Sequence, residues 1–66
     1  MIKNQQWLNA HYWARKRKEG LQQSTLADEI GISPGALSLF LRLGRGGYAL
    51  ITKVSEYRKQ MEGVKP

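Results

Sequence analysis

QSTLADEIGISPGALSLFLR, residues 23–42, is the stretch on which the fold of this chain turns. Its first part predicts a short helix over about Gln23–Ile30, with Leu26, Ala27 and Ile30 on one face. Gly31 follows at a position suited to a left-handed residue that ends a helix. Ser33 is a preferred N-cap, and Pro34 then takes the first helical position, where its missing N–H costs nothing. At about 100° per residue, Leu37, Phe40 and Leu41 fall on one side of this next helix. Gly35, Ser38, Leu39 and Arg42 fall on the other.

Two short helices joined by a tight glycine turn make a helix-turn-helix the expected motif. Two backbones crossing at about 90–120° need a small residue where they approach, and Ala27 is placed there. Leu26, Ile30, Ile32, Leu37 and Phe40 supply the inward side chains.

Outward from the motif, the N-terminal flank predicts a helix over about Asn4–Lys18, ended by Gly20. Trp7, Ala10 and Ala14 at i, i+3, i+7 mark its expected buried stripe, with Leu8 and Tyr12 beside them. The C-terminal flank predicts a helix over about Tyr48–Met61 with Leu50, Val54, Tyr57 and Met61 on one stripe. That stripe either completes the core or forms a dimer seam. Trp7, Trp13 and Tyr57 are expected in the core or at an interface, and His11 is assigned no chemistry. No stretch alternates like a strand. The expectation is an all-α, compact four-helix domain spanning residues 1–66, with residues 63–66 frayed.

The chain has 66 residues, with 11 Lys+Arg against 5 Asp+Glu, so its formal net charge is 11 − 5 = +6. There is no Cys and a single His, which excludes a disulfide framework and a zinc finger. Hydrophobic residues make up 41%, enough for a core and too many for a disordered tail. No apolar run approaches the roughly 20 residues of a membrane span. The start, MIKNQQW, has no apolar signal segment, so the cytoplasm is the expected location. One His, no Cys, five scattered acids and no phosphate-cradling loop argue against an enzyme, and no metal or cofactor is expected. The positive balance points to an anionic partner, most simply nucleic acid. The charge is unevenly placed: Arg15–Lys18 form a run, Arg42 and Arg45 flank a glycine-rich stretch, and Lys53, Arg58 and Lys59 follow. Between Leu21 and Leu41 there is no Lys or Arg, only Asp28 and Glu29.

Residues 23–38 resemble the helix-turn-helix of the lambda-repressor and Cro family of phage and bacterial regulators. Glu19-Gly20-Leu21-Gln22 is similar to that family's approach to the motif, although Gln22 stands where the family has a Ser or Thr cap. A second, narrower resemblance runs from Ser33–Phe40 through the glycine-containing basic loop to Ile51, Val54 and Tyr57. It is to the N-terminal DNA-binding domains of the Mu B class of phage transposition ATPases.

The resemblance implies binding of double-stranded DNA, with helix 34–42 in the major groove. Pro34, Gly35, Ser38 and Leu39 would then face the bases, with Ala36 at the edge. Gln23, and Ser33 with the helix start, would meet phosphates. Arg42 and Arg45 are suited to clamp the backbone, and Gly46 and Gly47 let the chain approach it. Of the Arg15–Lys18 run at most two residues face DNA together, and Lys16 and Arg17 are the candidates. No Arg, Lys, Asn or Gln stands among the base-facing residues, so direct readout is expected to be modest, with shape and thymine-methyl contacts contributing. Leu39 is either a base contact or a protein contact. Three functions stay open: a small regulator acting on DNA, as a homodimer on a palindromic site; a DNA-anchoring domain of a larger transposition ATPase; and a protein-interaction module on the same fold. No membrane or small-molecule substrate is expected.

Overall fold

In the computed structural model, which describes residues 3–63, the chain forms four helices and the described residues contain no strand. They are α1 (Asn4–Glu19), α2 (Gln23–Ile30), α3 (Pro34–Leu43) and α4 (Tyr48–Gly63). The fraying expected for residues 63–66 does not reach Gly63, which ends α4; residues 64–66 lie outside the described residues.

Local chemistry accounts for the ends of α2 and α3. Gly31 has φ 92°, and its N–H donates to the Ala27 carbonyl at 2.8 Å, as does the N–H of Ile32 at 3.0 Å. An L side chain in that left-handed conformation is strained, so the turn favours glycine. Ser33 caps α3, its hydroxyl accepting from the Ala36 N–H at 3.2 Å. Gln22 precedes α2 without a side-chain cap bond. Gly44 ends α3 at φ 70°, and a Cβ there would lie 2.5 Å from Gln5 Oε1. Both backbone and space therefore favour glycine at that corner.

All four helices bury residues in one core. Leu8 and Tyr12 come from α1, Leu26, Ala27 and Ile30 from α2, and Leu37, Phe40 and Leu41 from α3; Leu50, Val54 and Tyr57 come from α4, and Leu21 from the link after α1. Leu8, Leu26, Leu37 and Val54 are completely buried, each contributing roughly 1.5–3 kcal/mol of transfer free energy. α2 packs on α3, α1 lies across α3 and α4, and α2 also meets α4.

Two expectations about the flanks need correction. On α1 the buried pair is Leu8 and Tyr12, while Ala10 and Ala14 are exposed and Trp7 is only partly buried. Trp13 is 50% exposed, so it is not a core residue. The cause is polar residues on the inward side: Gln5, Asn9 and Arg15 make tertiary hydrogen bonds, which blurs the apolar stripe. On α4, Leu50, Val54 and Tyr57 complete the core, so that stripe is not a free dimer seam. Met61, its last member, is 39% exposed.

Candidate nucleic-acid interface

α3 has two sides with different fates. Leu37, Phe40 and Leu41 face the core, while Pro34, Gly35, Leu39 and Arg42 are exposed and Ser38 is half-buried. Leu39 is 40% exposed. Ala36 packs against the core, which leaves it only an edge of this surface. The expected base-facing residues thus share one outer strip, ending in Arg42. The loop carries it onward through exposed Arg45, Gly46 and Gly47 to the start of α4.

The glycines of that loop do different work. A Cβ on Gly46 would collide with the Leu50 side chain, so Gly46 lets the loop close over α4. Nothing lies within 4 Å of where a Cβ on Gly47 would sit, so its surface is open. Gln23 is half-buried at the start of α2. Ser33 is exposed, with its oxygen already accepting from Ala36, which leaves its O–H proton available as a donor.

Lys16 and Arg17 lie on α1, and the contacts they make are with α1 residues. The Lys16 Nζ lies 5.7 Å from the Tyr12 ring and 5.8 Å from the Trp13 ring. Arg17 shares a shallow groove with Ala10, Trp13, Ala14 and Lys18, all on α1. Among the described residues no hydrogen bond, ring contact or shared groove joins either cation to α3.

The sequence between Ile30 and Glu56 contains no Asp or Glu, and it contains Arg42, Arg45 and Lys53. Arg42 and Arg45 make no ion pair among the described residues, where the bridges involve Arg15 and Arg58. This stretch of the chain therefore carries exposed positive charge and no acid of its own. Lys53 turns toward the motif: its Nζ donates to the Gly31 carbonyl at 2.9 Å, bracing the turn before α3 from α4.

Sequence reasoning missed the residues that fix α3 in place. Asn9 Nδ2 donates to the Leu41 carbonyl at 2.9 Å, and Gln5 Nε2 donates to the same oxygen at 3.2 Å. Leu41 lies in the last turn of α3, where carbonyls have no partner within the helix. Two amides from α1 thus satisfy that oxygen and pin the end of the outer strip. The i, i+4 spacing of Gln5 and Asn9 was the available signal.

A second polar cluster lies where α1, α2 and α4 meet. The Arg15 guanidinium forks onto Glu29, Nη1 to Oε1 at 2.7 Å and Nη2 to Oε2 at 3.1 Å, and also bonds Glu19 at 3.2 Å. The Tyr57 hydroxyl donates to Glu29 Oε1 at 3.0 Å. His11 Nε2 lies 2.9 Å from that hydroxyl, whose one proton is engaged, so Nε2 is the donor. Trp7 stacks on His11 with ring centroids 4.9 Å apart. Arg15, and secondarily the Tyr57 hydroxyl, hold the Glu29 carboxyl below its ordinary value. Burial, with the neighbouring Glu29, pushes Tyr57 up to about 12. Burial and the Arg15 charge lower His11. These groups bond one another and tie α1, α2 and α4 together. The described residues include no group of three or more His, Cys, Asp or Glu placed to hold a metal ion. No described helix is long and apolar enough to cross a membrane.

No known protein family, curated protein or solved structure matches this chain.

Proposed function

We propose that this chain binds double-stranded DNA as a small transcriptional regulator of the lambda-repressor and Cro type, with α2 and α3 as its helix-turn-helix. The observation that carries the reading is the outer strip of α3, uncharged from Pro34 to Leu39 and continued by exposed Arg42 and Arg45 in a stretch of chain that holds no acid. A helix about 10 Å across fits the major groove, and the arginines at its C-terminal end would meet phosphates beside the groove. Pro34, Gly35, Ser38 and Leu39 would then face the bases. Ser38 alone of these has a hydrogen-bonding side chain, so affinity rests mainly on the backbone and specificity on shape and methyl contacts.

The same uncharged strip favours a second reading, a DNA-anchoring domain of a larger transposition protein, where strong base discrimination is not needed. The two readings part on site selection. A regulator paired on a palindrome sets its two α3 helices about one DNA turn apart and returns a two-fold symmetric site; an anchoring domain returns none.

The test of DNA binding itself is affinity for a short duplex measured over a range of salt. Each phosphate neutralised contributes a slope of about −0.9 in log affinity against log salt. A slope corresponding to several phosphates is expected. Affinity that does not change with salt overturns the reading and favours a protein partner docked on Leu39.

A further inference from the structure

The geometry points to Tyr48 as a contact to the DNA backbone, extending the proposed interface from α3 across the loop onto α4; this inference rests on the DNA-binding reading above. Tyr48 is 88% exposed, more than any other large hydrophobic residue among the described residues. A flexible loop does not carry it: the Ile51 N–H donates to the Gly47 carbonyl at 3.0 Å, so Tyr48 is the first residue of α4 on a formed helical turn. Ile51 lies one turn further along the same side, and it lines a groove with Leu43 and Gly44 of the α3 end. Tyr48 therefore opens α4 one turn before the Ile51 that meets the end of α3, and it follows Arg42 and Arg45 in the chain.

Its surroundings select the kind of partner. There is no acid from Gly31 to Ser55, and Lys3 reaches the same groove from the start of α1. A tyrosine with its apolar body in water and its hydroxyl outward suits a partner that is apolar and anionic at once. The sugar-phosphate backbone of DNA has that character: the ring lies on a sugar and the hydroxyl donates to a phosphate oxygen. Such a contact reads no base. It adds affinity for every duplex alike.

The test compares Tyr48→Ala and Tyr48→Phe with Arg45→Ala by titrating a labelled random-sequence duplex over a range of salt. Helical circular dichroism checks that each variant is folded. Tyr48→Ala is expected to weaken binding about tenfold on every duplex, the size of one lost phosphate hydrogen bond with its packing. Because tyrosine is uncharged, the salt slope should stay at the wild-type value, whereas Arg45→Ala should reduce it by about 0.9. Tyr48→Phe reports how much of the loss belongs to the hydroxyl. Wild-type affinity in Tyr48→Ala, with binding still weakened by Arg45→Ala, overturns the assignment and leaves the DNA-binding reading standing. A wild-type protein with no salt-dependent binding overturns both.

Discussion

Where α1, the end of α2 and α4 meet, Arg15 is bonded to Glu19 and Glu29, and the Tyr57 hydroxyl and His11 are tied into the same joint, while Arg58 pairs with Glu62 along α4. Along α3 and the loop after it, Arg42 and Arg45 reach solvent, with no acid in the sequence between Ile30 and Glu56. Both regions hold arginines, yet they put that charge to opposite uses. In the first, guanidinium groups are spent on internal carboxylates and contribute to assembly. In the second, they remain available to an external anion. The net charge of +6 is therefore a poor guide to the proposed binding surface, and the placement of the acids is the better one.

The largest expected effect breaks this comparison most directly. Replacing both Arg42 and Arg45 by Ala should lower DNA affinity about a hundredfold at low salt, taking roughly 1.5 kcal/mol for each charged hydrogen bond. The melting temperature should barely move, because neither side chain bonds to the rest of the protein among the described residues. A duplex titration and a thermal melt read the two quantities. Undiminished affinity would mean that the open cations are solvated charge and nothing more.

A smaller effect probes what holds the open face in place. Asn9→Ala removes the 2.9 Å bond to the Leu41 carbonyl and leaves the longer one from Gln5. A loss of about 1 kcal/mol in chemical denaturation is expected. Amide exchange should rise at the C-terminal end of α3, while the backbone around Gly31 keeps its protection. Uniformly faster exchange over the whole chain would show that Asn9 supports global stability alone and has no particular hold on α3.

The same contrast explains what was legible in the sequence. The α2–turn–α3 region is specified by neighbours in the chain: Gly31 for the left-handed turn, Ser33 and Pro34 for the helix start, and Leu37, Phe40 and Leu41 for the buried side. Such short-range signals survive in a bare sequence, and all of these appear in the structure. The face of α1 was misread because its orientation depends on partners far along the chain. Gln5 and Asn9 turn inward only because α3 ends in a carbonyl there, and Arg15 only because Glu29 and Tyr57 arrive from α2 and α4. Alanine is a weak marker of a buried stripe because its one methyl group sits in water at little cost, and Ala10 and Ala14 are exposed. At the candidate site, the outer strip of α3 and the exposed arginines were legible as helix geometry and charge. Tyr48 was not, because nothing in a sequence reports that the ring at the first position of α4 is left uncovered.

The last effect, of similar size at neutral pH, lies in the bonded joint. Glu29 has its carboxyl held below the ordinary value by Arg15, so its stabilisation is present above about pH 4.5 and is lost as the pH falls through the lowered value. His11 is lowered as well, so the unfolded chain takes up its proton first and stability begins to decline below about pH 6.5. Tyr57 is raised to about 12, so the folded state keeps its proton longer, and the stability this confers is full below about pH 10 and lost between there and about 12. Together they predict a melting temperature that is level from about pH 7 to 9.5 and falls on both sides. Tyr57→Phe sharpens the point. At neutral pH it should cost about 1 kcal/mol for the lost hydroxyl contacts, since the ring stays buried and Glu29 keeps Arg15. Above about pH 10 the variant should lose stability less steeply than wild type, having no phenol to ionise. If both melt along the same alkaline curve, the fall belongs to other groups and Tyr57 plays no part in it. DNA affinity at neutral pH should be the same in both, because this joint is built from charges that the proposed binding surface does not use.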